Sequence, residues 1–489
     1  MIRFLKVLRI LRKEEKKVKN KIFYISLAVV LVLSVVLMGG QCGPVPLDAI
    51  MIGTARDTDD GMEIFECYHG GPAMRWFVNK INDEEGGIVV ADEGTEAIPL
   101  ELVVREFSVG AWDIGDVVQG LIDDGAHVIF GGPSTDTVYT LAPVCNAAGV
   151  ILMSFEGGAS KMVWESEDYL DDWPYVWVNL SFANWYEIPV LHGIITEAAG
   201  PDPKAYVTQI GGPGAEHGLE YLQTTVTEFG SGNVYPSDAG LEHSFMMDQT
   251  EADTIILGAA SALNSTPYDI FCAYTYPWNV EKLFLATQTY NFNPPAIVFG
   301  PGSSQGYFTN IWGNATVEGI MSFGTSNEKT TIAVGTPTMT MAEMYDEIGA
   351  QIEQDWTDYS TVCPNMFGAS NGTELLDYWG LPIFAAGMEM WKTAVEDAGT
   401  LDSGPVRAVM ASWNSTNPAS TVFGDTWYTV FGGGYGGGIV AYECETGQIG
   451  QWQSGIFEII GYTGITSTLP NYDATASYVA MENNWDWLP

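Results

Sequence analysis

VIFGGPSTDTVYTLAPVCNAAGVILMS, residues Val128 to Ser154, is the stretch that decides the fold. Its apolar start ends at glycine and proline, a Ser134-Thr135 pair opens a helix, and Gly149 ends that helix before a second apolar run. This order predicts a strand, a helix and a strand of one parallel sheet. Ligands of open α/β sheets bind where loops leave the carboxyl ends of strands, which predicts a crevice at this edge. We expect this crevice to be lined by Ser134, Thr135, Glu156, Gly157 and Gly158.

The same alternation of strand and helix runs through the chain in two units. The first has predicted strands at 49–53, 100–107, 128–131 and 151–154, with helices at 70–82 and 114–123. The second has helices at 188–197, 218–229 and 280–287, with strands at 205–210, 254–257, 270–273 and 296–299. Long helical patterns at 341–353 and 376–398 should return to the first unit, and hairpin strands around 432–438 and 446–450 to the second. The predicted fold class is α/β, with two doubly wound parallel sheets.

The N-terminus reads as a targeting segment separate from the fold. Nine of the 19 Lys and Arg lie in residues 1–21, an uncharged apolar run covers residues 22–38, and Cys42 follows. This layout predicts a secretory signal that ends at a lipidated Cys42. An uncleaved signal anchor is the alternative, because the apolar run is just long enough to span a membrane. Either way, we expect the protein to be attached to the outer face of the cell membrane.

Charge excludes nucleic acid as a partner. The N-terminal segment also holds two of the 61 Asp and Glu, so ten basic residues face 59 acidic residues after Cys42. Phosphate binding requires a basic face, and this composition cannot assemble one. The acidity predicts a solvated, self-repelling surface.

Cysteines and histidines predict neither a metal site nor a cofactor. No CxxC pair or Cys/His cluster of zinc spacing occurs. Cys145 and Cys272 should be buried thiols, and Cys363 with Cys444 is the disulfide that we would test first. Asn-X-Ser/Thr sequons, which accept N-linked glycans in cells that glycosylate surface proteins, begin at Asn179, Asn264, Asn314, Asn371 and Asn414.

Two motifs typical of enzymes are better explained without catalysis. Gly368–Gly372 matches the GxSxG nucleophile pattern around Ser370, but the preceding segment contains a proline and makes a poor core strand. Gly432–Gly438 has GxGxxG spacing, but it leads into more strand instead of a helix, as a flexible turn would. The sequence therefore predicts a protein that is not an enzyme.

The order and spacing of several motifs resemble the extracellular solute-binding proteins of branched-chain amino acid type, which serve ATP-driven (ABC) importers. The matching segments cover nearly everything from residue 49 to 462: they are 81–88, 117–135, 142–154, 274–277, 299–301, 318–320, 394–399 and 447–461. The resemblance implies a type I periplasmic-binding-protein fold, in which two lobes joined by three crossovers close on a solute. We expect an anchor segment at 1–42, one lobe from 47–170 plus 323–425, and the other from 171–322 plus 426–489.

The resemblance also implies where the solute binds. The family's binding positions fall on Ser134, Thr135, the loop Glu156 to Gly158, and the turn Tyr274, Thr275 and Tyr276. Two positions depart from the members that bind amino acids. Gly302 stands where those members carry an acid for the ligand ammonium, and Gly158 where they carry a threonine for the carboxylate.

The function implied is capture of a small polar solute, an amino acid or a related compound, and its delivery to the permease of an ABC importer. A surface sensory or structural protein that reuses the fold without transport is the alternative. The sequence alone leaves the ligand open.

Overall fold

The structure is a computed structural model, and it describes most of the chain beyond residue 46. The described residues are 47–57, 70–107, 113–131, 135–155, 169–180, 183–211, 215–235, 241–244, 246–265, 269–292, 294–331, 335–354, 376–441, 444, 447–465, 472–479 and 481. The predicted anchor and Cys42 lie outside this part of the chain. From Ala49 onward the chain forms one compact unit.

The helices and strands follow the predicted alternation. The helices are α1 Gly71–Lys80, α2 Ile114–Asp123, α3 Thr135–Ala148, α4 Tyr169–Asp172, α5 Ala183–Ala199, α6 Ala215–Phe229, α7 Gln249–Ser265, α8 Pro277–Thr289, α9 Tyr307–Trp312, α10 Asn314–Val317, α11 Met341–Gln354, α12 Gly380–Ala398 and α13 Ser403–Ser412. The strands up to the middle of the chain are β1 Ile50–Asp57, β2 Ile88–Val89, β3 Ala97–Ile98, β4 Leu100–Phe107, β5 Val128–Gly131, β6 Ile151–Ser154, β7 Val176–Val178, β8 Ala205–Ile210, β9 Val234–Tyr235, β10 Leu241–His243, β11 Ile270–Thr275 and β12 Ala296–Pro301. The remaining strands are β13 Met321–Phe323, β14 Ala419–Thr421, β15 Gly424–Thr426, β16 Tyr428–Val430, β17 Gly438–Val440, β18 Ile449–Gln453, β19 Ile456–Gly461 and β20 Ala476–Ser477.

The first sheet has the order β16-β17-β7-β6-β5-β1-β4. All its neighbours pair in parallel except β16, which forms an antiparallel hairpin with β17. The predicted unit from Val128 to Ser154 is confirmed: β5 and β6 pair in parallel with Val128 opposite Ile151, and α3 connects them. We call this sheet, with the helices that pack on it, the first lobe.

The second sheet has the order β10-β8-β11-β12-β13-β18-β19-β20, with β9 on β8. Strands β8 and β10 to β13 are parallel, and the hairpin of β18 and β19 closes the sheet. This sheet and its helices form the second lobe. The fold class is therefore α/β with parallel sheets, as predicted.

One predicted strand is wrong. Residues 254–257 lie inside helix α7. Asp248 caps the start of this helix by accepting from the Glu251 N–H at 2.8 Å. Ala252, Ile256 and Ala259 recur at helical spacing on its buried side.

The chain passes between the two sheets three times: between Val178 and Ala205, between Phe323 and Tyr428, and between Val440 and Ile449. Sheet membership differs from our expectation for two segments. Strand β7 and the hairpin around Gly432–Gly438 were expected in the second lobe, but they pair with each other and with β6 in the first sheet. We accordingly propose the first lobe boundary after Val178 and the third after Val440.

Aromatic packing holds α12 on the first sheet. Phe130 of β5 stacks on Phe155 with ring centroids 5.6 Å apart and meets Trp391 of α12 edge-on at 5.9 Å. All three side chains are buried. Complete burial of one such side chain stabilises the fold by about 2 to 3 kcal/mol. Replacing Trp391 by alanine would therefore cost about 3 to 5 kcal/mol.

Candidate functional site

The first half of the predicted site follows two adjacent strand ends. Gly131 ends β5, Ser154 ends β6, and these two residues are partners in the ladder. Neighbouring strands lie about 4.8 Å apart, so the loops that follow them begin side by side. Thr135 is the first residue of helix α3. The other predicted residues of this half, and the Thr135 side chain, lie outside the described part of the chain: Ser134, Glu156, Gly157 and Gly158.

The second half of the predicted site lies where β11 ends, and its threonine is hydrogen-bonded to a histidine. The Thr275 hydroxyl lies 3.2 Å from His243 Nε2, and His243 Nδ1 lies 3.1 Å from the Thr208 hydroxyl. These three residues belong to the adjacent strands β11, β10 and β8 and are buried. Burial lowers the pKa of His243 from 6.5 to about 3, so the ring is neutral and can donate through one nitrogen and accept through the other. From the sequence, the histidines had predicted only that no metal site or cofactor was present.

The two tyrosines beside Thr275 are packed into an aromatic cluster. Tyr274 and Tyr276 meet edge-on at 6.2 Å, and Tyr276 stacks on Trp278 at 4.9 Å. Tyr274 is 1% exposed and Tyr276 0% exposed. We had expected these rings as open faces for a solute. In this structure they are part of the interior of the second lobe.

The position where amino-acid binders of the resembling family carry an acid has no room for a side chain. A Cβ atom built on Gly302 would lie 2.4 Å from Val280 Cγ2 and 2.7 Å from the backbone carbon of Tyr276. Both distances are shorter than any ordinary carbon contact, and one involves backbone. A carboxylate at residue 302 would therefore require the loop to move.

A buried carboxylate that sequence analysis missed joins the lobes. Asp377, 0% exposed, accepts from the Ser304 hydroxyl at 2.6 Å and from Gln305 Nε2 at 3.1 Å. It also accepts from the backbone N–H of Gly380, at the start of α12. Ser304 and Gln305 follow β12 of the second sheet, whereas α12 packs on α1 and β6 of the first lobe. Asp377 lies inside the helix predicted at 376–398, whereas the observed helix begins only at Gly380. An acid near the start of a helical pattern is a capping signal that could have placed this boundary.

The second passage between the sheets is held by another polar group. Glu458 of β19 accepts from the Thr475 hydroxyl at 2.6 Å and from Asn327 Nδ2 at 3.3 Å, and it forms an ion pair with Lys329. Asn327 also donates to the Phe457 carbonyl at 2.8 Å. These contacts tie the segment that follows β13 to the closing hairpin.

One cavity of about 620 Å³ lies between α5 and the strands β19 and β20. Its lining includes Glu197, whose carboxylate accepts from the Thr463 N–H at 2.7 Å, and the rings of Tyr462 and Tyr478. None of the predicted site residues lines it.

No group of three or more His, Cys, Asp and Glu residues in the described part of the chain could hold a metal ion. Burial raises the pKa of the Cys145 and Cys272 thiols to about 12, which keeps them protonated and unreactive. The predicted disulfide between Cys363 and Cys444 is wrong: Cys444 is a buried thiol whose sulfur accepts from the Trp427 N–H at 3.4 Å.

Ser370 lies outside the described residues. No described helix is both long and apolar enough to cross a membrane.

No protein family matches the sequence, and neither does any curated protein. Solved structures match the fold. The leucine-binding protein LivK of Thermotoga maritima has a TM-score of 0.55 and 12% identity, over 84% of this chain and 97% of that protein. LivJ of Streptococcus pneumoniae, a branched-chain amino acid transporter substrate-binding protein solved with isoleucine, has a TM-score of 0.56 and 13% identity over 84% and 97%.

A third match is a solute-binding protein of an ABC transporter from Rhodopseudomonas palustris, solved with benzoate. Its TM-score is 0.56 at 11% identity, over 84% of this chain and 96% of that protein. At these identities the likeness is one of fold. The protein described here has the type I periplasmic-binding-protein fold, the fold of these substrate-binding proteins.

Proposed function

We propose that this protein captures a small polar solute between its two lobes and delivers it to the permease of an ABC importer. The observation that carries the proposal is the topology: two parallel sheets exchange the chain three times, so hinge bending at the passages can open and close a crevice. The similar structures are a leucine-binding protein and two substrate-binding proteins solved with isoleucine and with benzoate, which supports a small solute. In this proposal the protein is a carrier and not an enzyme.

The solute class follows from what each lobe can offer. We propose that Ser134 and Thr135, with the first N–H groups of α3, hold the anionic or carbonyl end of the solute, since a helix N-terminus favours negative charge. Glu156 would meet a cationic end, with Gly157 and Gly158 leaving room beside it. On the second lobe the side chains from Tyr274 to Tyr276 are buried, so we propose that the backbone of this turn closes over the solute body. Because the packing at Gly302 leaves no room for an acidic side chain, a solute ammonium would have to bind a residue at another position.

The N-terminal segment supports export. Its basic residues, apolar run and Cys42 are the layout of a lipoprotein signal, with an uncleaved anchor as the alternative. We propose that the two lobes lie outside the cytoplasm, held at the outer face of the membrane, where an importer would collect the solute.

The proposal is tested by a thermal-shift screen of the full-length chain against amino acids, amides, urea-like compounds, short peptides and aromatic acids. A solute present at 100 times its Kd should stabilise the protein by about 2.7 kcal/mol, which raises the melting temperature by several degrees. No shift with any member of these classes would contradict the proposal.

The site is tested by replacing Ser134 and Thr135 with alanine together and titrating a solute found in the screen. Each lost hydrogen bond should weaken binding by about 1 to 3 kcal/mol, or roughly tenfold to a hundredfold. Thr340→Ala is the matched control, because Thr340 caps α11 by accepting from the Glu343 N–H at 3.2 Å. The control should lose about 1 kcal/mol of stability and no affinity. Unchanged affinity in the double variant, with a lowered melting temperature, would show that Ser134 and Thr135 only cap helix α3.

A second function is favoured by one observation, the burial of Tyr274 and Tyr276. A crevice filled by its own side chains suits a sensory or structural surface protein that uses the lobes for protein contacts. Failure of the whole solute screen, with an intact and cooperative melting transition, would support this alternative.

A further inference from the structure

The five sequons differ in whether the asparagine side chain is exposed to solvent in the folded protein. Asn179 is 4% exposed, and its Oδ1 accepts from the Tyr428 hydroxyl at 2.6 Å. A Cβ atom on Gly387 would lie 2.5 Å from Asn179 Nδ2, so α12 packs directly against the amide nitrogen. No sugar fits there in the folded chain. Asn371 and the side chain of Asn264 lie outside the described residues.

Asn414, unlike Asn179, is exposed to solvent and lies in a tight turn between α13 and β14. Its backbone N–H donates to the Asn417 carbonyl at 3.1 Å, and the Asn417 N–H donates back at 3.0 Å. Every residue of this turn is exposed, whereas the preceding Trp413 is buried and stacks on Tyr428 at 6.4 Å. The buried tryptophan holds the turn in place while its polar side chains face solvent.

Within this turn the two functional groups of the sequon contact each other. Asn414 Oδ1 accepts from the Thr416 hydroxyl at 2.6 Å and from the Thr416 backbone N–H at 2.9 Å. Asn414 Nδ2 donates to the Ser412 carbonyl at 3.0 Å, which fixes the plane of the carboxamide. Two donors on Oδ1 draw electron density from the amide and make the Nδ2 protons more acidic. This is the change that an amide nitrogen needs before it can act as a nucleophile.

Asn314 shows that exposure and sequence are insufficient for this geometry. It is also exposed and also followed by a threonine two residues later, but both residues lie in helix α10. Residues two apart on a helix point to different faces, so the Thr316 hydroxyl does not reach the Asn314 amide. Among the described side chains no hydrogen bond joins the two.

We propose that Asn414 is an acceptor site for an N-linked glycan. The co-reactant is an oligosaccharide joined through phosphate to a membrane polyprenol, supplied with its transferase by the exporting cell. Asn414 Nδ2 forms a bond to sugar C1, the bond from C1 to the phosphate oxygen breaks with its electron pair on that oxygen, and the Nδ2 proton passes to a base of the transferase. No redox change occurs. This proposal rests on the export proposed above and not on any solute.

The test uses the full chain, made in a host whose own surface proteins carry N-linked oligosaccharides on this sequon. Only protein that an added protease reaches on intact cells is counted, so every molecule measured has been exported. Chymotrypsin cuts after Trp413 and Phe423, and the mass of the peptide from Asn414 to Phe423 is then measured. We expect this peptide to carry an oligosaccharide, the Asn179 peptide none, and the Asn314 peptide less than the Asn414 peptide.

Three variants separate the geometry from general exposure. Thr416→Val removes the hydroxyl and should abolish the modification, whereas Thr416→Ser keeps the hydroxyl and should retain it. Asn417→Gln is the matched control, since it changes the other asparagine of the turn and leaves the sequon intact. Each variant should keep the melting temperature of the parent when both are made without glycan. An unmodified Asn414 in exported protein, or a Thr416→Val chain still modified there, would overturn the proposal.

Discussion

The two lobes use the polar side chains at their strand ends in different ways. In the second lobe these side chains are already hydrogen-bonded within the protein: His243 joins Thr208 to Thr275, and Ser304 donates to Asp377 at the start of α12. These groups are buried. Their hydrogen-bonding capacity serves the fold, so this edge of the second sheet is a rigid scaffold.

In the first lobe the strand ends lead into the loops that hold Ser134 and Glu156. One described residue at this edge, Asn179 after β7, has its Nδ2 packed against α12 with no acceptor among the described residues. We propose a division of work, in which Ser134, Thr135 and Glu156 of the first lobe meet the solute and the second lobe closes over it. Mutations at the second edge should therefore change stability, and mutations at the first should change affinity.

The largest effect is expected from Asp377→Ala. The substitution removes the hydrogen bonds that Asp377 accepts from the Ser304 hydroxyl, Gln305 Nε2 and the Gly380 N–H, and each bond lost from this buried group costs about 1 to 3 kcal/mol. We expect unfolding free energy to fall by roughly 5 kcal/mol in chemical denaturation. Asp397→Ala, an exposed acid on the same helix α12, should change it by less than about 0.5 kcal/mol. Equal losses in the two variants would show that Asp377 does not join the lobes.

The next effect is the acid sensitivity of the second lobe. His243 has its pKa lowered by burial from 6.5 to about 3, so its contribution to stability is complete above pH 6.5 and is lost as pH falls towards 3. By pH 3 this loss should reach about 4 kcal/mol. In His243→Gln the amide can still bond to both threonine hydroxyls, and it does not titrate. Melting curves from pH 7 to pH 3 should therefore fall less steeply in the variant, and parallel curves would exclude this role.

A smaller effect, opposite in direction, is expected in the first lobe. Glu389 of α12 accepts from the Thr338 hydroxyl at 2.6 Å and from the Val422 N–H at 2.7 Å, and burial raises its pKa from 4.5 to about 7. Its contribution to stability is complete below pH 4.5 and is lost as pH rises through 7. Glu389→Gln can accept from Val422 and donate to Thr338, so it keeps both contacts.

Between pH 5 and pH 8 the melting temperature of Glu389→Gln should therefore change less than that of the parent protein. Glu353→Gln, an exposed position on α11, is the control and should follow the parent curve. If the Glu389 and Glu353 variants behave alike, the carboxyl at 389 does not titrate in this range. Together, the His243 and Glu389 measurements show which lobe loses stability as pH falls below neutral and which loses stability as pH rises above it.

Prediction from the sequence succeeded where the signals are local. The unit from Val128 to Ser154 was recognised because apolar runs, a hydroxyl pair and a glycine all lie within one short stretch. It failed at residues 254–257 because a short β-branched run does not distinguish a strand from a buried helix. The cap at Asp248 was the signal that would have decided correctly.

Prediction of the site was limited for a different reason. Tyr274, Thr275 and Tyr276 were expected in the crevice because the resemblance to the solute-binding family implies it, and β11 does end at Thr275. Position along a strand does not determine exposure, which depends on what packs above it. Here Trp278 and His243 cover these side chains.

The sequence by itself determined the alternation of strands and helices, the parallel sheets and the acidic surface, because periodicity, caps and charge act over a few residues. Only the tertiary structure decided which sheet each strand joins. Strand β17 belongs to the first sheet because Gly438 pairs with Trp177 of β7, a partner more than 250 positions away along the chain. Such pairing depends on the packing of both faces of a sheet, and no local pattern in either segment specifies it.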